Sequence, residues 1–168
     1  TLNGGVLDVG EIDIQSGTGS LELKGGELKV TTINESVVNQ GVTLNPGHSP
    51  GITTVVGDYT HQGAATLLIE IAGITPGIEY DKLVVSGAAN INGGKLKIVF
   101  LDGYIPPGET TFDILVATSI NGNFSDFEFP DNAWFDTAVL IETGQIIYFG
   151  EGDADNDGDG MPDNEDEF

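Results

Sequence analysis

The sequence of 168 residues contains no cysteine and no arginine, and each absence excludes a class of protein. Without cysteine the chain has neither disulfides nor thiolate metal sites. Without arginine it lacks the side chain that most often clamps phosphate or reads guanine. Five lysines against 27 acidic residues give a net charge of −22, which repels nucleic acid and anionic lipid. We therefore expect no nucleic-acid partner, whereas multivalent cations suit such a surface.

Long apolar runs and helical periodicity are also missing. No apolar segment approaches the length of a membrane span, so we expect none. No segment keeps apolar residues at helical spacing between caps. The chain opens at Thr1 with neither an initiator methionine nor a signal peptide. These features predict a processed protein or an excised fragment whose first residues packed on something now absent.

Short alternating segments dominate instead. Leu7 and Val9 are separated by one polar residue, and the pairs Ile12 and Ile14, Leu21 and Leu23, and Leu28 and Val30 repeat this spacing. A period of two predicts strands with one buried face. The 25 glycines interrupt these segments and mark turns. The fold class predicted is all-β.

One of these units repeats along the chain. The hexapeptide GGVLDV at 4–9 returns 21 residues later as GGELKV at 25–30, and a third copy, GGKLKI, occupies 93–98. A repeat of about twenty residues, built of short strands and glycine turns, is typical of a parallel β-solenoid whose coils bury aliphatic residues in a continuous core. A β-sandwich is the rival, because it also uses short strands spaced by turns.

Later segments predict further buried strands. The segment 64–71 places Leu67, Ile69 and Ile71 on one face. The segments 83–85 and 112–116 are predicted to be further buried strands, and 138–141 with 146–149 predict a hairpin across Thr143-Gly144.

The segment 124–135 is rich in aromatic residues and has two interpretations. The rings belong to Phe124, Phe127, Phe129, Trp134 and Phe135. They form either a cap over the open end of the β-stack or a platform on which sugars stack. Acidic residues alternate with the rings, which indicates one buried and one solvated face and favours the cap.

From Val42 onward the chain carries an ordered series of motifs. These are LNPGHSPGI at 44–52, GDYT at 57–60, ATLLIEIAG at 65–73, EYDKLVVSG at 79–87, GGKL at 93–96, LDGYIPPG at 101–108, FDIL at 112–115 and INGNF at 120–124. The series resembles the C-terminal β-helix segment of bacterial autotransporter passengers and related large surface proteins. The resemblance implies a right-handed parallel β-helix over 1–149, used as a structural or adhesive stalk. In autotransporters this region leads to a membrane barrel, whereas here an acidic segment follows, at 150–168.

The acidic segment contains the strongest chemical motif. Carboxylates stand at positions 1, 3, 5, 9 and 12 of a loop that begins at Asp155, with Gly160 at position 6. Calcium takes six to eight oxygen ligands, and this spacing lets one loop wrap the ion. The predicted calcium ligands are Asp155, Asp157, Asp159, the carbonyl of Met161, Asp163 and Asp166. The pattern resembles a thrombospondin type 3 repeat, since no flanking helices are predicted; a solvated acidic tail is the alternative.

Catalytic signatures are weak. The two histidines, His48 and His61, match no metal motif in their spacing. The carboxylates Asp58, Glu70, Glu79 and Asp81 could be gathered on adjacent coils, as glycoside hydrolysis requires. A lyase-type site would need a base, for which the candidates are Lys82, Lys95 and Lys97. No convergent acid and base set is evident, so we expect no enzyme.

The sequence thus predicts a structural or adhesive module that is secreted or lies on a bacterial cell surface. Its residues 1–149 form the solenoid, with the aromatic cap near 124–135, and 150–168 form a calcium-ordered connector. The partners expected are calcium and either further copies of the chain or neighbouring modules of the same protein, with self-assembly through exposed strand edges. The alternatives are a carbohydrate-binding module and a polysaccharide-active β-helix enzyme.

Overall fold

The computed structural model describes residues 1–13 and 21–151, and this part of the chain is all-β with one short helix, α1. Ile14 lies outside the described residues. Thirteen strands form one large sheet and three form a small one. The strands are β1 (Leu2–Ile12), β2 (Leu23–Ile33), β3 (Val37–Asn39), β4 (Thr43–Pro46), β5 (Ile52–Val55), β6 (Tyr59–Gln62), β7 (Thr66–Ile71), β8 (Lys82–Val85), β9 (Ala88–Asn92), β10 (Lys95–Phe100), β11 (Thr110–Asp113), β12 (Leu115–Val116), β13 (Ser119–Asn123), β14 (Asp126–Glu128), β15 (Ala133–Asp136) and β16 (Gln145–Glu151), and α1 is Leu140–Thr143.

The predicted all-β class is confirmed: the large sheet is parallel and curls into a half-barrel, which is compatible with a β-solenoid. It is made of three ladders of paired strands. The first ladder runs β2-β4-β7-β10-β14, the second runs β2-β5-β8-β12, and the third runs β2-β3-β6-β9-β13. After β2 the chain visits the third, first and second ladders in that order, and then returns to each one rung further on. The rival β-sandwich is excluded, because it would need two face-packed antiparallel sheets and these strands form one curled parallel sheet.

The predicted 21-residue repeat is the register between the first two strands. Leu7 lies opposite Leu28 and Val9 opposite Val30 in the parallel pair β1–β2. The third copy belongs to β10, which pairs with β7 and places Leu96 opposite Leu67. One row of the first ladder therefore stacks like residues on successive rungs, in the order Leu7, Leu28, Leu44, Leu67, Leu96 and Phe127.

The core lies inside this curled sheet. Leu28, Leu67 and Ile69 are fully buried, as the period-two pattern predicts for one face of each strand. Burying an aliphatic side chain of this size stabilises a fold by about 1.5–3 kcal/mol. The chain has no cysteine, so this buried apolar core stabilises the described part without disulfides.

The small sheet corrects two predictions. Segment 112–116 is not one strand: β11 pairs antiparallel with β16, whereas β12 joins β8 in the large sheet. The predicted hairpin across Thr143-Gly144 is also wrong, because residues 140–143 form α1. The prediction failed because apolar residues over only four positions do not exclude a single helical turn. Gly144 ends that turn in the left-handed conformation, and its N–H donates to the carbonyl of Leu140.

Within the described ranges, no helix combines the length and the apolar character needed to cross a bilayer.

Candidate functional sites

The first strand leaves one edge of the parallel sheet open. Among the described residues β1 pairs with β2 alone, over the register from Leu2–Leu23 to Ile12–Ile33. The opposite edge of this 11-residue strand therefore presents its backbone N–H and carbonyl groups to no strand within 1–13 and 21–151. Exposed edges of this kind are templates for a further strand.

The side chains of β1 match those of β2 but are less buried. Leu28 and Val30 have no exposed surface, whereas Leu7 and Val9, one rung away, are only partly buried. Val6 is 63% exposed. The residue types of β1 are thus those of an internal rung, placed where only one neighbouring rung covers them.

Two acidic side chains of β1 interact with residues of later coils. His48 Nε2 lies 2.9 Å from Asp8 Oδ1, so the loop after β4 contacts the first strand. The side-chain amide of Asn34 donates a hydrogen bond to Glu11. Lys29, which lies opposite Asp8 in the β1–β2 register, is instead 3.6 Å from Glu27 of its own strand. Both ends of the His48–Asp8 pair are solvent-exposed, so it adds little stability.

Aromatic rings cluster near the other end of the stack. Phe124 meets the edge of His61 with ring centres 5.1 Å apart, and Phe129 lies 5.0 Å from Phe135. Phe135 in turn lies 5.2 Å from Tyr148 of β16. Phe124 and Phe135 are buried in the same apolar cluster as the parallel sheet. The small sheet and the end of the large one therefore share a core.

Trp134 takes no part in that central cluster. Its ring is half-buried and lies 4.5 Å from the ring of Phe149, tilted by 49°. Phe149 thus shields part of the indole, which leaves less of it free to stack on a ligand than an isolated surface tryptophan would offer.

A groove opens beside the last rung. β14 pairs with β10 only over Lys95–Lys97, whereas β7 pairs with it over Lys95–Phe100. Pro130, two residues after β14 ends, lacks the N–H that a continuing ladder needs. The resulting cavity has a volume of about 310 Å³ and is lined by Lys97, Ile98, Val99, Phe100, Glu128, Phe129, Pro130 and Asp131.

Ion pairs engage Glu128 and Lys97 of this groove and the neighbouring Lys95. Lys95 and Lys97 approach Glu128 at 2.7 and 2.5 Å. Hydrogen bonds from the two ammonium groups lower the pKa of Glu128 to about 2. These two lysines are therefore engaged in ion pairs, which makes them poor candidates for a catalytic base.

Asp81 is a fully buried carboxylate that binds two separate backbone segments. Its oxygens accept hydrogen bonds from the N–H of Gly51 at 2.6 Å and from the N–H of Glu70 at 2.8 Å. Burial raises the pKa of Asp81 to about 7, although the two N–H donors and Lys29 act in the opposite direction. The side chain fastens the loop between β4 and β5 to strand β7.

His61 is fully buried inside the third ladder. Its Nδ1 lies 2.9 Å from the Tyr59 hydroxyl and its Nε2 lies 3.1 Å from the carbonyl of Ala65. Because a carbonyl only accepts, Nε2 carries the proton and Nδ1 accepts from tyrosine. Asn39 donates to the same hydroxyl at 3.3 Å. Burial lowers the pKa of His61 to about 4, so the ring is neutral at physiological pH.

The remaining candidate carboxylates are distributed over different corners. Asp58 accepts from the N–H of Ala88 at 2.8 Å, and Glu79 accepts from the N–H groups of Ile74 and Thr75 at 3.2 and 2.9 Å. Of the four acidic residues named from the sequence, only Glu70 and Asp81 are in contact, and they are so through the backbone N–H of Glu70. Three of them hold backbone turns, and no cluster of three metal-ligating side chains occurs within 1–13 and 21–151.

The predicted calcium ligands Asp155, Asp157, Asp159, Met161, Asp163 and Asp166 lie outside the described residues. From its place before Leu83, Asp81 is expected to hold a loop by accepting backbone N–H bonds, and it does so; its two donors, Gly51 and Glu70, and the structural role of His61 were not predicted. A signal for His61 existed, since it alternates with Tyr59 and so shares the inward face of β6.

No protein-family model, curated protein or solved structure matches this chain.

Proposed function

We propose that the chain is a structural module of a secreted or cell-surface bacterial protein, built as a right-handed parallel β-solenoid. The observation that supports this most is the path of the chain, which returns to the same three ladders in the same order while like residues stack from rung to rung. Stacked coils bury a continuous core and form a stiff rod, which is the property a stalk needs.

In this proposal the two ends have different roles. The aromatic row from Phe124 to Tyr148, with the small antiparallel sheet, closes one end as a cap that protects the core from solvent. The edge of β1 is the end that joins other modules or copies. The turn-holding carboxylates, such as Asp81, support a structural role, because a group bound to two backbone N–H donors is occupied in holding the fold.

The segment after the solenoid is proposed to be a calcium-ordered connector. The motif from Asp155 to Asp166 supplies oxygen ligands at the spacing that calcium uses, with Gly160 at the turn. In a chain of net charge −22, bound divalent ions also relieve repulsion between carboxylates. The ion would order this segment and stiffen the junction to whatever module it adjoins.

Calcium binding is tested by titration calorimetry on the full chain. We expect binding with a dissociation constant on the order of 0.1–1 mM, typical of extracellular modules. Asp157→Ala and Asp159→Ala should each abolish the heat, because both remove a ligand from the first half of the loop. Asp153→Ala is the matched control, since it is an adjacent acid outside the twelve-residue register. An equal loss in the control, or no heat from the native chain, contradicts the proposal.

A second candidate function, glycan binding, is favoured by one observation: the groove beside β14 combines aromatic walls with polar groups. Because Trp134 is partly shielded by Phe149, we expect its intrinsic fluorescence to stay unchanged during titration with a panel of acidic and neutral oligosaccharides. A saturable shift that is lost in Phe129→Ala, while Phe149→Ala retains it, would instead support a sugar site in the groove.

A further inference from the structure

The outer face of the third ladder carries a regular array of uncharged polar side chains. Burial alternates along β6 and β9, so that every second side chain points away from the core. The parallel register places Asn90 beside Thr60 and Asn92 beside Gln62, and β13 continues both rows one rung further. We define the amide grid as the six side chains of these two rows, which are Thr60, Gln62, Asn90, Asn92, Asn121 and Asn123.

The backbone beneath the amide grid is held in place by the core. Tyr59, His61, Ala89 and Ile91 alternate with residues of the grid, and each of them is at most 2% exposed. Successive rungs of a sheet lie about 4.8 Å apart, and alternate residues of one strand lie about 6.6 Å apart. The grid is therefore a preformed array with fixed spacings, and a ligand that matches it loses little affinity to ordering of the protein.

The amides of the grid keep hydrogen-bonding groups available. Asn121 Nδ2 donates to Asn90 Oδ1 at 3.1 Å, which aligns these two side chains across the rungs. The side chains of Gln62, Asn92 and Asn123 are exposed and form no hydrogen bond within the described part of the chain. Each primary amide has two N–H donors and one accepting oxygen. The grid can therefore donate and accept hydrogen bonds at the same time.

These strands are uncharged in a chain whose net charge is −22. β3, β6, β9 and β13 contain no aspartate, glutamate or lysine. Asp58, in the turn before β6, accepts a hydrogen bond from the N–H of Ala88 and is engaged at the border of the grid. The outer face of the first ladder differs, since it carries Glu27, Lys29, Lys95, Lys97 and Glu128.

This combination of features indicates the class of ligand. The acidity of the whole chain disfavours anionic ligands, and cations are drawn to the carboxylates of other faces. Protein partners are recognised mainly through apolar and aromatic anchors and arginine, and the six side chains of the grid include none of these. The chemistry that remains is an uncharged molecule rich in hydroxyl groups, because hydroxyls donate and accept hydrogen bonds as amides do.

From these observations we propose that the amide grid binds an uncharged, extended polysaccharide laid across the rungs of the third ladder. Successive sugars of such a chain meet successive rungs, and their hydroxyls bond to the two amide or hydroxyl side chains that each rung presents. The inference rests on the proposed adhesive role and names the material to which the module adheres. The grid is separate from the groove beside β14, whose walls belong to the first ladder and the segment after it.

The test is a titration of the full chain with cellohexaose, xylohexaose and mannohexaose, followed by the nuclear magnetic resonance signals of the side-chain amides. We expect saturable shifts of the asparagine and glutamine signals of the grid with at least one of these sugars. The dissociation constant should be on the order of 1 mM, because neutral hydrogen bonds formed in competition with water each contribute little. The double variant Asn92→Ala with Asn123→Ala should weaken binding about tenfold, since it removes one amide from each of two rungs.

The matched control is Asn3→Ala, because Asn3 is an exposed asparagine on a strand outside the grid, and this variant should bind as the native chain does. All of these positions are exposed, so the far-ultraviolet circular dichroism of each variant should stay native. Absence of shifts with all three sugars, or undiminished binding by the double variant, overturns the inference. Equally tight binding of hexagalacturonate, an acidic sugar, overturns it as well.

Two further outcomes would assign the sugar or the face differently. Binding that is lost in Phe129→Ala but retained in the double variant would place the sugar in the groove beside β14 and overturn the inference. Shifts of the grid amides that depend on protein concentration without sugar would show a contact between copies of the chain, which also overturns it. Failure in this titration leaves the calcium titration unaffected, so the two proposals are tested separately.

Discussion

Replacing Leu67 by alanine should lower the free energy of unfolding by about 2–5 kcal/mol. Leu67 is fully buried at the centre of the first ladder, with Leu44 on one side and Leu96 on the other. Truncation leaves a cavity that two neighbouring rungs cannot both collapse to fill. Chemical denaturation monitored by far-ultraviolet circular dichroism measures the change.

Leu7→Ala is the matched control, because Leu7 occupies the same row at the open edge and is only partly buried. We expect this substitution to cost less than half as much, since one side of Leu7 already faces solvent. Equal losses for the two variants would mean that Leu7 is covered as completely as Leu67, and would contradict the partial burial of Leu7 described above.

The second large effect concerns the pH dependence of the free energy of unfolding, to which His61 and Asp81 contribute slopes of opposite sign. His61 has a native pKa of about 4, below the ordinary 6.5, so its contribution to stability is complete above pH 6.5 and is lost as the pH falls towards 4. Asp81 has a native pKa of about 7, above the ordinary 3.8, so its contribution is complete below pH 3.8 and is lost as the pH rises through 7. Between pH 4.5 and 6.5 the two slopes largely cancel.

Removing either group should therefore reveal the slope of the other. In Asp81→Asn, stability should rise with pH across this interval by up to about 1.4 kcal/mol per pH unit, which is the limit for one proton. In His61→Gln, stability should fall with pH by a similar amount. Slopes, and not absolute stabilities, are compared, because both substitutions also disturb hydrogen bonds.

Thermal or urea unfolding at half-unit steps from pH 4.5 to 6.5 provides the comparison. Glu128 does not interfere, since its pKa of about 2 places its titration below this interval. Parallel profiles for the native chain and both variants would show that neither buried group has the protonation behaviour described here.

The sequence predicted the parts of the fold that depend on period and repeat. The alternation around Leu67 and Ile69 identified buried faces, because a strand turns its side chains to opposite sides. The 21-residue repeat predicted the β1–β2 register, since stacked coils bring like residues together. These features follow from short-range pattern, which a single sequence displays.

Other features depend on contacts distant in sequence. Nothing near Asp81 indicates that it binds the N–H of Gly51, thirty residues earlier. The division of 112–116 between two sheets depends on where Gly144 lies, since its carbonyl accepts from both Ile114 and Leu115. The apolar pattern of that segment is the same whether the chain continues straight or changes sheet, so local sequence does not distinguish the two.

The rungs of the first ladder are separated by unequal lengths of chain. Sixteen residues separate Leu28 from Leu44, whereas 31 separate Leu96 from Phe127, yet both pairs stand side by side. The surplus residues lie between the strands of the three ladders, and in the longest interval they include β11, which pairs in the small sheet. Such an architecture tolerates insertion there without a change of register, so related chains are free to diverge in length at their corners, and these loops are the natural places to graft an epitope or a tag.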